Sequence, residues 1–220
     1  MLASELVTTD FPVLKPGDPL HKAVDVFLDY CICHVPVVSE NGFEGILPVD
    51  LLMDIPDRGK LISDFKNDYI HVNAYLDQHG LDVFEIMARY ELTALPVLDG
   101  NQHYAGCISS SSLMKTLSEY YSFKQAGGII DLSVGIRDYN LSEISRIVES
   151  NNAKILILYL DTDEENALFK ITLKIDTLDL SHILATFERF KYAVTYFYPA
   201  TEQKEELKDR YDLLMKMFDI

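Results

Sequence analysis

Residues 4–54 and 63–114 can be laid over one another at an offset of 59 to 61 residues, and this repeat constrains the fold more than any other feature of the chain. Each copy opens with a short polar-apolar stretch, SELV at 4 and SDFK at 63, then enters a brief extended segment around Val13 and Val72. A helix follows. Val24, Phe27 and Leu28 recur at helical spacing in the first copy, and Val83, Ile86 and Met87 in the second, so each helix is expected to bury that face. Next comes a β-rich run with proline near its start, HVPVV at 34–38 and ALPVL at 94–98, where a strand tolerates a missing N–H. SENG and DGNQ supply turn residues, FEGIL and YAGCI complete two hairpins, and each unit ends in a helix start, LPVDLLMD or SSSSLMKTL. One unit alone leaves the apolar face of its sheet open. Two units stacked together bury both, so a pair is the smallest expected folding unit.

After residue 122 the pattern changes, and FKQAGG at 123–128 reads as a linker into a domain spanning 129–200. IIDLSVGI is a strand, and NLSEISRIVESNN has helical spacing at Leu141, Ile144, Ile147 and Val148, with Asn152 as its stop. AKILILYLD and NALFKITLKID form a hairpin across the polar DTDEE. LDLSHILATFERFK gives a second amphipathic helix through Leu180, Ile183, Leu184 and Phe187, and YAVTYFYP closes as a fourth strand. The order βαββαβ is the ferredoxin-like arrangement, making the whole chain α+β. Residues 201–220 place Leu207, Tyr211, Leu214, Met215 and Phe218 on one stripe of a C-terminal amphipathic helix that needs a surface to dock on.

The formal net charge is −16, and residues 1–122 hold 7 Lys/Arg against 18 Asp/Glu. Nucleic acid and anionic membrane surfaces bind clustered Lys and Arg, so neither is expected as a partner. A local site for one small anion is compatible with this charge. No apolar run approaches the roughly 20 residues that span a bilayer, and LASELVTTD after Met1 lacks a basic, then apolar, leader pattern. The expected location is cytoplasmic. The three cysteines, Cys31, Cys33 and Cys107, fit a reducing compartment better than a disulfide scaffold.

The duplicated hPV segments, with a glycine before each terminal helix, make residues 1 to about 120 resemble a CBS domain pair, with repeats at about 4–54 and 63–117. The following strand IIDLSVGI, Asp138 and LSEISRIVESNNAKI resemble an ACT domain, and the order CBS, CBS, ACT-like is similar to the acetoin-utilisation-type regulatory proteins. The resemblance implies a non-enzymatic regulatory protein that pairs as a homodimer and binds adenosine ligands such as AMP, ATP or S-adenosylmethionine in the CBS cleft. The family pattern is Gly, two apolar residues, Ser/Thr, two variable residues, Asp: the hydroxyl meets phosphate and the carboxylate meets ribose. Gly45 leads instead to Pro48 and Leu51, with Asp50 one residue early, whereas Gly106 leads to Ser109 and Ser112. An adenosine ligand is therefore expected at the second copy, near Val72, Ala94, Leu95, Pro96, Ser109 and Ser112. ACT domains often bind amino acids between first strand and first helix, which points to Asp138 and Asn140, in a loop shorter than the family form. The alternative is an interaction or oligomerisation module whose ligand sites have decayed.

Other groupings carry less chemistry. Cys31, Cys33 and His34 lack the second pair that structural zinc needs, and Asp161, Asp163, Glu164 and Glu165 lack the glycine and final Glu of a calcium loop. His21, His71, His79, His103 and His182 are dispersed, and no P-loop, GxGxxG, HExxH or nucleophile elbow occurs. No catalytic constellation and no metal site are expected.

Overall fold

A computed structural model of the chain describes residues 1–52, 55–57 and 59–198. It divides into two compact units, the first Met1–Glu119 and the second beginning at Tyr120. The expected helix at 201–220 lies outside the described residues.

The first unit runs α1 (Ala3–Leu6), α2 (Leu20–Tyr30), β1 (His34–Ser39), β2 (Gly42–Pro48), β3 (Ala74–Tyr75), α3 (Gly80–Arg89), β4 (Ala94–Leu98), β5 (Tyr104–Ser109) and α4 (Ser110–Glu119). Short 3₁₀ segments occupy Asp50–Leu52, where the first copy's terminal helix was expected to start, and Ile62–Asp68. The copies repeat in detail. Each has an antiparallel hairpin with a register shift after its fourth paired residue, at Val37/Val38 and at Val97/Leu98. A left-handed residue follows each long helix, Cys31 at φ 55° and Glu91 at φ 52°. β3 pairs parallel with β4, and its counterpart in the first copy is a single parallel bridge from Leu14 to Val37.

The reason a pair is required is sharper than sheet stacking. Each copy lends its leading segment to the other. Leu2 bridges His79 and Thr8 bridges Cys107, while Leu61 bridges Pro19 and Ile70 bridges Ile46. Ala3 and Leu6 accordingly join the core cluster of Val83, Leu95, Val97 and Ile108, and Ile62 and Tyr69 join that of Leu20, Val35, Val37 and Leu47. The crossings need glycine. At Gly45 (φ 153°) a Cβ would stand 2.7 Å from Tyr69 Cβ, and at Gly106 (φ 145°) it would stand 2.7 Å from the Thr8 carbonyl oxygen.

One expected face is rotated. α2 buries Leu20, Ala23 and Val26, leaving Leu28 63% exposed. Apolar residues occupy two neighbouring stripes of this helix, and the one through Leu20, Ala23 and Val26 joins the core beneath. In α3 the expected stripe holds, with Val83 and Met87 buried.

In the second unit α5 (Tyr121–Lys124) precedes β6 (Gly128–Gly135), α6 (Leu141–Ser150), β7 (Ile155–Asp163), β8 (Leu168–Ile175), α7 (Ser181–Arg189) and β9 (Ala193–Tyr198). The sheet order β7-β8-β6-β9, with every pair antiparallel, is that of a ferredoxin-like fold. Ile130 and Leu132 of β6 and Ile171, Leu173 and Ile175 of β8 share one core with Ile144, Ile147 and Val148 of α6 and Ile183, Leu184 and Phe187 of α7. Leu141 departs from its expected place and is 48% exposed. Asn152 takes φ 57°, the left-handed turn that ends α6.

Candidate functional site in the second repeat

β5 runs directly into α4, so Ser109 to Ser112 form the first turn of a ten-residue helix. Ser109 and Ser112 are half-buried, and Ser110 and Ser111 are exposed. The two half-buried serines close on each other. Ser112 N–H donates to Ser109 Oγ at 3.0 Å, Ser109 N–H donates to Ser112 Oγ at 3.2 Å, and Ser112 Oγ donates to the Ser109 carbonyl at 2.8 Å. This is a reciprocal helix cap, and it occupies the hydroxyls that the sequence offers to a ligand. Ser109 Oγ also lies 2.9 Å from Ser111 Oγ. The chemistry open to solvent at this turn is therefore that of Ser110 and Ser111, at the positive end of the helix.

The expected wall behaves differently from a cleft lining. Ala94, Leu95 and Pro96 are all buried, and Leu95 belongs to the core cluster. Ala94 is the ladder partner of Ser109, which puts it beside the serine turn through the backbone. Val72 is half-buried against the same core. At the corresponding place in the first copy, Pro48 ends β2, Leu51 is 56% exposed, and Asp50 is exposed.

Sequence reasoning missed the polar link between the copies. Thr93 Oγ1 accepts from the N–H groups of Cys33 (2.9 Å) and His34 (3.1 Å), and Thr93 N–H donates to His34 Nδ1 at 3.2 Å. Burial lowers the His34 pKa below its ordinary value, against an opposing pull from Asp50. An acceptor Nδ1 fits that neutral ring. The available signal was positional: Cys33 and Thr93 stand one repeat apart, each just before the proline-containing strand.

The loop after β6 holds Asp138 and Asn140, but both serve local structure. Asn140 Oδ1 accepts from Glu143 N–H at 3.2 Å and caps α6. Asp138 N–H closes a turn onto the Gly135 carbonyl at 2.8 Å, and its carboxylate fills the space above Gly135, where a Cβ would meet Oδ2 at 2.6 Å. Among the described residues no group of three or more His, Cys, Asp or Glu is placed to hold a metal ion. Burial pushes the Cys107 thiol well above its ordinary pKa, away from thiolate chemistry, and Cys31 is exposed. Among the described residues no helix is long and apolar enough to cross a membrane.

Residues 3–55 and 72–119 match the family model for the CBS domain. Among curated proteins, a homoserine O-acetyltransferase of Methanosarcina acetivorans is 24% identical over 123 residues, which are 54% of this chain and 22% of that protein. An inosine-5'-monophosphate dehydrogenase of Methanocaldococcus jannaschii is 22% identical over 156 residues, 70% of this chain and 31% of that protein. The chain thus matches less than a third of the length of either relative. A solved CBS domain pair/ACT domain protein from Thermotoga maritima is 18% identical at a TM-score of 0.48, covering 54% of this chain and 98% of that one. The Met1–Glu119 unit is a pair of CBS domains, and the unit after it has the βαββαβ order of a ferredoxin-like fold.

Proposed function

We propose that the chain is a non-enzymatic regulatory protein that senses a small adenosine-containing ligand at the second CBS motif: AMP, ATP or S-adenosylmethionine. The observation that carries this reading is the inequality of two equivalent places. One presents Pro48 and Leu51, which offer no hydroxyl or carboxylate; the other presents a serine-rich first turn of a ten-residue helix, with Ser110 and Ser111 exposed. Helix N-termini favour phosphate through their N–H groups and dipole. Ser109 and Ser112 then act as the cap that fixes this turn, and Ser110 and Ser111 supply the hydroxyls. Ligand at about 100 times its dissociation constant stabilises a fold by roughly 2.7 kcal/mol, or about 5 to 11 °C for a chain of this size. Melting of the wild-type chain should rise by that order with one of the three compounds, and Ser111→Ala should diminish the rise. No rise with any of them at millimolar concentration removes the adenosine form of the proposal.

A second reading is an interaction module that pairs as a homodimer. Leu28 on α2 and Leu81 and Phe84 on α3 are 63%, 67% and 47% exposed, an amount of apolar surface that supports contact with a partner. Leu28→Lys and Phe84→Lys should then lower the sedimenting mass at micromolar concentration without unfolding the chain. An unchanged mass would reject these faces as the contact.

A further inference from the structure

Thr93 stands at a junction of three segments. Its Oγ1 accepts from the N–H groups of Cys33 and His34, its N–H donates to His34 Nδ1, and its carbonyl accepts from Ser110 N–H at 3.0 Å. His34 opens β1 and Ser110 opens α4, so one residue connects the first motif's leading strand to the second motif's serine turn. The backbone half of this arrangement recurs in the first motif, where Val49 N–H donates to the Cys33 carbonyl at 2.8 Å. The side-chain half does not recur, because Ala94 stands where the first motif has His34.

This junction accepts only a neutral ring. Nδ1 lies 3.2 Å from the Thr93 nitrogen, which can only donate, and 3.2 Å from Thr93 Oγ1, whose two lone pairs already receive two amide N–H groups. A proton on Nδ1 would meet a donor on one side and a filled acceptor on the other, in a half-buried place where a lost bond is costly. Among the described residues Asp50, in the segment after β2, is the charge that acts on the ring, and it favours the proton. Cys33 adjoins the ring in the chain, its ladder partner is Pro48, and β4 carries no titratable side chain. Burial outweighs Asp50 and holds the titration of His34 below the ordinary 6.5, so the junction is closed at neutral pH.

We propose that His34 is a proton-operated latch on the second motif: the neutral ring holds Thr93 and, through it, the first turn of α4, and the protonated ring releases both. Resting on the adenosine reading above, acidification then weakens ligand binding at that turn, and bound ligand in return makes His34 harder to protonate. A cation at His34 would by itself attract an anionic ligand, so the direction of the pH dependence separates a latch from simple attraction.

NMR of the isotope-labelled full chain between about pH 8 and 5 tests the latch. The amides of Thr93 and Ser110 should titrate together with the His34 ring, at one midpoint below 6.5. In His34→Gln, whose side-chain carbonyl accepts without titrating, they should stay still. AMP affinity is measured over the same range for both chains, so that the titration of the phosphate itself cancels in their ratio. The wild-type dissociation constant relative to that of His34→Gln should rise by up to about tenfold per pH unit below the His34 midpoint, the slope of one excluded proton. Amides of Thr93 and Ser110 that ignore the His34 titration would overturn the proposal, as would a ratio that stays level or falls on acidification. AMP that binds at no pH would remove the adenosine reading and leave the latch to the amide titration, which decides it alone.

Discussion

Gly106→Ala isolates the exchange of leading segments between the two CBS motifs. At φ 145° a residue bearing a Cβ is strained, at about 1 to 3 kcal/mol. The new Cβ would stand 2.7 Å from both the Thr8 carbonyl oxygen and Val7 Cγ2, so the chain there must withdraw. Its withdrawal stretches the paired bonds from Thr8 N–H to the Cys107 carbonyl (2.8 Å) and from Cys107 N–H to the Thr8 carbonyl (3.1 Å). Overpacking of this kind costs about 1 to 3 kcal/mol, giving a total of about 2 to 6 kcal/mol against the 5 to 15 kcal/mol that holds a domain folded. Urea denaturation should show that loss, and native-state hydrogen exchange should show the amides of Thr8 and Cys107 exposed ahead of the core. Gly100 serves as the control, since a Cβ there meets nothing within 4 Å and Gly100→Ala should change stability by less than about 1 kcal/mol. If Gly106→Ala matched Gly100→Ala, the leading segment would not be part of the second motif's cohesion.

Ser112→Ala removes one half of the α4 cap and should cost about 1 kcal/mol in denaturant without ligand, separating its structural role from any effect on binding. His34 has a lowered folded pKa, so the unfolded chain binds its proton more readily. Its contribution is complete above an unfolded pKa near 6.5 and is lost as pH falls below that value, with a slope of at most about 1.4 kcal/mol per pH unit. His34→Gln should flatten the stability profile below about pH 6.5; an unchanged profile would mean that His34 does not titrate with unfolding. Elemental analysis of the purified chain should find no stoichiometric zinc, since Cys31, Cys33 and His34 lack a completing ligand among the described residues.

The architecture was legible because its signals are local and repeated. Proline-bearing strands, turn residues and the alternation of Ile171, Leu173 and Ile175 specify hairpins without long-range information, and the repeat announces the pair. The exchange of segments was not legible, because Thr8 and Cys107 lie about a hundred residues apart and only Gly106 hints that another chain segment passes close by. The buried side of α2 was misread for a related reason: both stripes satisfy helical spacing, and the sheet beneath decides between them. At the site, residue type showed where oxygen atoms cluster but not how they are employed. Ser109 and Ser112 are spaced as a cap as well as a ligand pair, and the three-residue interval satisfies both. The Thr93–His34 link needed two strands brought together from separate repeats.

Native mass spectrometry of the freshly purified full chain, followed by titration with AMP, ATP and S-adenosylmethionine, tests the sensing role most directly. The proposal predicts one adenosine ligand per chain, with occupancy reduced by Ser111→Ala and a second ligand absent while Pro48 and Leu51 remain. Two equal ligands per chain would contradict the inequality of the motifs, and no ligand at millimolar concentration would contradict adenosine sensing by this chain.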